Sequence, residues 1–184
     1  MKLLLHICCG PCAIYPIKEL LNAKFKEVRG FFYNPNIHPP SEYKRRKDTL
    51  LKAAENTGFE IIFPDYKMEE YFRFIFSNNA GDGFKPSPAE RCSLCWELRL
   101  LKSADYAKDN GFDAFTTTLL ISPYQNHEKI VTIGEKIARA KGVGFYYQDF
   151  RPGFKAAQEQ AKKENLYRQK YCGCVFSELE RVKL

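Results

Sequence analysis

The chain has 184 residues, 45% hydrophobic and 28% charged, with a net charge of +7. That length and balance suit one ordinary globular domain able to bury a core without staples. No apolar run reaches the ~18 residues that crossing a bilayer requires, so no membrane partner is expected.

The elements alternate in chain order. Lys2–Ile7 reads as a buried strand; its apolar stretch is too short for a secretory leader. A short helix over Ala13–Asn22 carries Ile14, Ile17, Leu20 and Leu21 on one face, and Glu27–Tyr33 is a second strand, rich in β-formers. Prolines and asparagines make residues 34–40 a loop. Ser41 is expected to cap a helix running to about Thr57, with Gly58 as its stop. Phe59–Phe63 reads as a third strand, Lys67–Ser77 as a helix, and Asn78–Pro88 as a Gly/Asn/Pro loop able to move. A long helix over Glu90–Asn110 ends at Gly111. Strand Ala114–Thr118, helix Asn126–Lys141 and a last short strand Gly144–Tyr147 follow, and the tail from Gly153 to Leu184 is mainly helical. With no repeat or linker in view, the expectation is a single α/β domain over residues 1–184. It is a three-layer sandwich with a mainly parallel sheet and a helical C-terminal segment.

Cysteine placement carries the chemistry. The seven cysteines fall into Cys8-Cys9-Gly10-Pro11-Cys12, Cys92-Ser93-Leu94-Cys95 and Cys172-Gly173-Cys174. An odd count in tight groups argues against a secreted disulfide scaffold and for a cytoplasmic protein using thiolates. The first group lies past the carboxyl end of strand one, where doubly wound sheets bind ligands. The start of the next helix favours thiolates there, and Gly10-Pro11 is read as the turn that lets Cys8 and Cys9 share a site. Cys92 and Cys95, three apart on a helix, project from one face. Two ligands from each group make four thiolates, suited to Zn²⁺ or a [4Fe–4S] cluster. A domain that can build a core without metal favours a functional, iron–sulfur centre. The close spacing of Cys172 and Cys174 suits a strained, readily reduced disulfide, with spare metal ligands as the alternative.

Further stretches complete a pattern. Leu4-Leu5-His6-Ile7-Cys8-Cys9-Gly10-Pro11-Cys12 and Tyr33-Asn34-Pro35-Asn36-Ile37-His38-Pro39 are two of them, followed by Arg91-Cys92-Ser93-Leu94-Cys95 with Arg99. The others are Thr116 through Asn126 and Arg168-Gln169-Lys170-Tyr171-Cys172-Gly173-Cys174. Together they resemble the QueH-type epoxyqueuosine reductases over essentially the whole chain. The resemblance implies an enzyme that reduces epoxyqueuosine in the anticodon loop of tRNA to queuosine without cobalamin. It places cluster ligands at Cys8, Cys9, Cys92 and Cys95 and a redox-active disulfide at Cys172 and Cys174. It also implies a fold similar to nucleotide-binding proteins of the ATP-pyrophosphatase type. Their Ser-Gly-Gly-x-Asp-Ser phosphate loop is absent here, which argues against ATP use.

Cys12 is left for an additional iron ion or for tuning the cluster. Proton donors are sought among His6, His38, Tyr124 and Asp149. His38 is the favoured candidate, with a surface-loop histidine as its plainer alternative, while His6 reads as a satisfied core residue. Lys44-Arg45-Arg46-Lys47, Lys162-Lys163 and Arg168 with Lys170 are candidate phosphate contacts, or simply solvated faces. An electron donor of unknown identity is required. Rival functions are an iron–sulfur electron-transfer or thiol-disulfide protein, and a zinc-containing RNA-binding module.

Overall fold

The computed structural model describes residues 1–77 and 86–182. Its centre is a five-stranded, all-parallel sheet of β1 (Lys2–His6), β2 (Glu27–Phe31), β3 (Ile61–Ile62), β4 (Ala114–Thr117) and β5 (Gly144–Phe145), in the order β3-β2-β1-β4-β5. Helices α1 (Gly10–Asn22), α2 (Pro40–Ala54), α3 (Met68–Ser77), α4 (Pro88–Asp109), α5 (His127–Lys141), α6 (Phe154–Lys163) and α7 (Val175–Val182) surround it. Helix α1 packs on α2 and α6, and α4 on α3 and α5. These helices cover both sheet faces and complete the expected three-layer sandwich.

The central strand β1 is covered on both sides, which explains its unbroken apolar run: Leu3, Leu4 and Leu5 are fully buried. Each such leucine contributes about 1.5–3 kcal/mol on burial. The chain runs outward from β1 to β3, then returns to build β4 and β5 on the other side. The reversal opens a crevice between the carboxyl ends of β1 and β4, the general ligand position of such sheets.

Several boundaries differ from the sequence expectation. Helix α1 begins at Gly10, with extended Cys9 as its N-cap, so Gly10-Pro11 is a first helical turn and not a separate turn. Proline at the start of a helix forgoes only an amide that would lack a partner anyway. Likewise α2 starts at Pro40 with Pro39 as cap; Ser41 lies inside it, and it ends three residues before the expected Thr57. Strands β3 and β5 are two residues each, shorter than read, because these edges take few ladder bonds. Ser87 and Glu90 form a reciprocal capping box that starts α4 at Pro88. The movable loop expected at Asn78–Pro88 lies mostly outside the described residues. After β4 the chain takes one 3-10 turn, Thr118–Ile121. Among the described residues no helix is long and apolar enough to cross a membrane.

Gly10 sits against α2: a Cβ there would meet the Thr49 carbonyl oxygen at 2.9 Å and its carbon at 3.0 Å, both backbone atoms. Gly10→Ala therefore forces the helices apart at the residue next to Cys9. We expect a loss of about 1–2 kcal/mol, seen as a lower denaturant midpoint with an unchanged m value; an unchanged midpoint would show that the close approach is not limiting.

Candidate active site

The crevice is lined first by the turn between β1 and α1. Cys9 caps α1 and Cys12 lies in its first turn, so the helix brings Cys12 back over the strand end. The sulfurs of Cys8, Cys9 and Cys12 all lie within 4.8 Å of one another, with Cys8 and Cys9 3.7 Å apart. Across the crevice Thr118, just past β4, accepts from the Cys8 amide at 3.0 Å and donates to the Cys8 sulfur at 3.2 Å. Hydrogen bonds from Cys12 and then Cys9, helped by Thr118, outweigh burial and hold the Cys8 thiol well below its ordinary pKa. Sharing with Cys8 pushes Cys12 up. The trio thus carries one negative charge more readily than three.

Helix α4, packed on β1 and β4, carries the second cysteine group, which lies outside the 4.8 Å trio. Cys92 is half-buried and Cys95 buried. Burial raises Cys92, and raises Cys95 to about 11 despite the opposing pull of Arg99. One turn beyond Cys95 stands Arg99, 5% exposed, with its Nε donating to the Cys95 carbonyl at 3.1 Å. Among the described residues no carboxylate pairs with it. Burial works against its charge, and Cys95, Cys8 and Cys172 with Tyr71 more than offset that, so its pKa is raised. A cation buried without a carboxylate demands anionic neighbours, and here the neighbours are sulfurs from all three groups.

The third group arrives on an irregular strap, residues 166–174, held by α2 and the loop before it. Buried Arg46 pairs with Glu42 at 2.7 Å and donates to the carbonyls of Cys172 and Tyr171 at 2.9 and 3.1 Å. The amide of His38 donates to the Gly173 carbonyl at 2.8 Å, and the Tyr171 hydroxyl to the His38 carbonyl at 2.9 Å. Gly173 has φ of 106°, and a Cβ there would meet Ile37 and Arg46 within 3.0 Å, so glycine is required. Gln169 reaches the N-terminal trio, its amide 2.7 Å from the Cys9 sulfur. Cys172 is exposed, and bonding with Cys174, against burial, brings its thiol down to about 5. Cys174 is buried, 3.0 Å from the fully buried Tyr71 hydroxyl, and its own thiol is pushed up, chiefly by Cys172. All seven cysteines are free.

Other expected residues divide. His6 is the satisfied core residue anticipated: Nε2 bonds the Tyr33 carbonyl at 3.1 Å and Nδ1 the Thr117 hydroxyl at 2.8 Å. Burial, then Arg99, lowers it to about 3. His38 is not a surface-loop residue; it is 4% exposed and stacked 4.9 Å from Phe72. Tyr124 is 84% exposed, and Asp149 is committed to Arg151 at 2.7 Å, which weakens both as proton donors. In the basic run, Arg46 is corrected from phosphate contact to internal clamp, Lys44 pairs with Asp48 at 2.7 Å, and Arg45 and Lys47 lie over Tyr167 and Phe63. Sequence reasoning gave no role to Tyr71, Arg99, Thr118 or Gln169. For Arg99 the signal was its i, i+4 spacing from Cys95 on a helix already read.

Free thiols gathered from three segments around a buried cation suit electron or metal chemistry better than scaffolding, which makes this an oxidoreductase of the parallel α/β class. A family model described as epoxyqueuosine reductase QueH matches residues 3–180. The chain is 40% identical over 181 residues to the epoxyqueuosine reductase QueH of Dehalococcoides mccartyi, a match covering 98% of this chain and 94% of that one. It is 36% identical over 184 residues to the Thermotoga maritima protein of the same name, covering 97% and 91%. The chain belongs to the QueH family of epoxyqueuosine reductases.

Cys172 should react with iodoacetamide as a thiolate down to unusually low pH. The rate is expected to be flat from neutral pH to about pH 6, and to fall with a midpoint near 5 as the thiol protonates. Cys174→Ala removes the largest cause of the lowering, so the midpoint should move up toward that of an ordinary thiol. Peptide mapping of the alkylated chain measures both; an unmoved midpoint would assign the shift elsewhere.

Proposed function

We propose that the chain reduces epoxyqueuosine in tRNA to queuosine in the cytoplasm. Supporting this are the family and one observation above the rest: the sulfurs of Cys8, Cys9 and Cys12 lie within 4.8 Å of one another at the carboxyl end of β1. Removing the epoxide oxygen leaves an alkene and water and consumes two electrons and two protons. Oxidation of the Cys172 and Cys174 thiols to a disulfide releases the same number of each, so one cycle of the pair balances one turnover. An external electron donor then restores the dithiol.

His38 is suited to donating a hydrogen bond to the epoxide oxygen. Its Nδ1 accepts from the Val175 amide at 3.4 Å, and burial keeps its pKa below the usual value, so the neutral ring carries its proton on Nε2. That atom is buried with no hydrogen-bond partner among the described residues.

The donor set also suits iron. Cys8, Cys9, Cys92 and Cys95 would hold a [4Fe–4S] cluster, and Cys12, in contact with the first two, an additional iron ion. Bound there, such a group supplies Lewis acidity and one-electron transfer at low potential. The Arg99 charge favours thiolate at these ligands, and the Gln169 amide at Cys9 offers a donor of the kind that tunes cluster sulfurs.

The test is anaerobic incubation with reductant and epoxyqueuosine-containing tRNA, read by nucleoside mass spectrometry. Cys92→Ser should lose visible absorption and turnover together. Cys172→Ser should keep the absorption and lose turnover at least 100-fold, the order seen when an essential group is removed. Full turnover by a colourless, metal-free Cys92→Ser protein would remove the cluster from the reaction.

A further inference from the structure

The strap has two faces, and only one is used internally. From residue 167 to 172 partly buried and exposed side chains alternate: Tyr167, Gln169 and Tyr171 turn inward, Arg168, Lys170 and Cys172 outward. Each inward residue is anchored. Tyr167 donates to Glu42 at 3.0 Å, Gln169 to Cys9, and Tyr171 to the His38 carbonyl. The outward cations have no ion-pair partner among the described residues. Arg45, also exposed, stacks on Tyr167 at 3.6 Å and adds a third cation to this strap, while Glu42 is buried against Arg46 and Tyr167. An unneutralised cationic row therefore runs in the same register as the exposed thiol of Cys172.

Resting on the reductase reading, we infer that the outward face of this strap is the phosphate track of the RNA substrate, with Arg168 and Lys170 contacting consecutive backbone positions that lead to Cys172. Cations held on a segment that Arg46, Glu42 and His38 fix at five hydrogen bonds lose little freedom on binding. The inward contacts set the distance between the track and the N-terminal trio through Gln169. Phosphate contacts of this kind position a strand without reading its bases, so the track serves any RNA loop of suitable shape.

The test compares parent with the double variant Arg168→Gln/Lys170→Gln, and with Lys162→Gln/Lys163→Gln on α6 as a charge-matched control off the strap. The binding probe is an unmodified anticodon stem-loop RNA, titrated by fluorescence anisotropy across a salt series. The strap variant should bind roughly tenfold more weakly, with a log–log salt slope shallower by about 1.4, the value for two single-strand phosphate contacts. The control should keep most of the parent's slope. Equal slopes for parent and strap variant would overturn the track. Turnover separates the two ideas. On epoxyqueuosine-containing tRNA the strap variant should raise KM while leaving kcat and the Cys172 alkylation profile near the parent's. If parent and strap variant turn over tRNA with the same KM, the track falls and the reductase stands. If RNA binding weakens as expected but no protein reduces epoxyqueuosine, the track stands and the reductase reading falls.

Discussion

One buried guanidinium organises this molecule. Arg99 gives up water without gaining a carboxylate among the described residues, an arrangement that costs several kcal/mol unless other negative charge comes to it. What comes is sulfur, with the Cys8 and Cys172 thiols held low: from the turn after β1, from its own helix and from the strap. The crevice between β1 and β4 provides the place, because the reversal in strand order leaves both strand ends uncovered there. Sequence segments 77 and more residues apart are thereby made neighbours in charge, and that is the condition for any shared sulfur chemistry.

The second requirement is that the C-terminal thiol pair be held still with one of its sulfurs left exposed. Glu42 and Arg46, one turn apart on α2, form an ion pair 2.7 Å long, and Arg46 spends its remaining donors on two strap carbonyls. A planar guanidinium fork holds three acceptors from three separate nitrogens in a fixed geometry, whereas a lysine's three donors share one nitrogen. Tyr71 secures Cys174 from behind, leaving Cys172 outward. The pair is asymmetric as a result: one thiol low and accessible, the other high and enclosed. Such asymmetry is useful in thiol exchange, where one sulfur attacks and the other resolves.

Much of this was readable in the chain. Leu3, Leu4 and Leu5 announced a strand covered on both faces, and the alternation of strands with helices announced the parallel sheet. The first cysteine group marked the crevice at the end of β1 before any fold was known. What was hidden depended on tertiary contacts. Gly10-Pro11 looked like a turn, yet its close approach to Thr49 and the proline's preference for a helix start place it in α1. His38 looked like a loop residue because prolines surround it, but Phe72 and the strap close over it. Arg46 looked like one cation in a solvated run; only the Glu42 four residues before it hinted at an internal role. Nothing in the spacing of Tyr71 from Cys174 could have paired them, since 103 residues separate the two.

The decisive measurement is proximity between remote sulfurs in the folded protein. A chain retaining only Cys8 and Cys95, with its other cysteines replaced by serine, can be treated with a short bifunctional thiol reagent such as dibromobimane and mapped by mass spectrometry. Cross-linking in buffer well above that in denaturant would place both sulfurs beside Arg99. A yield no higher when folded than when unfolded would contradict a common site and leave the three cysteine groups without shared chemistry.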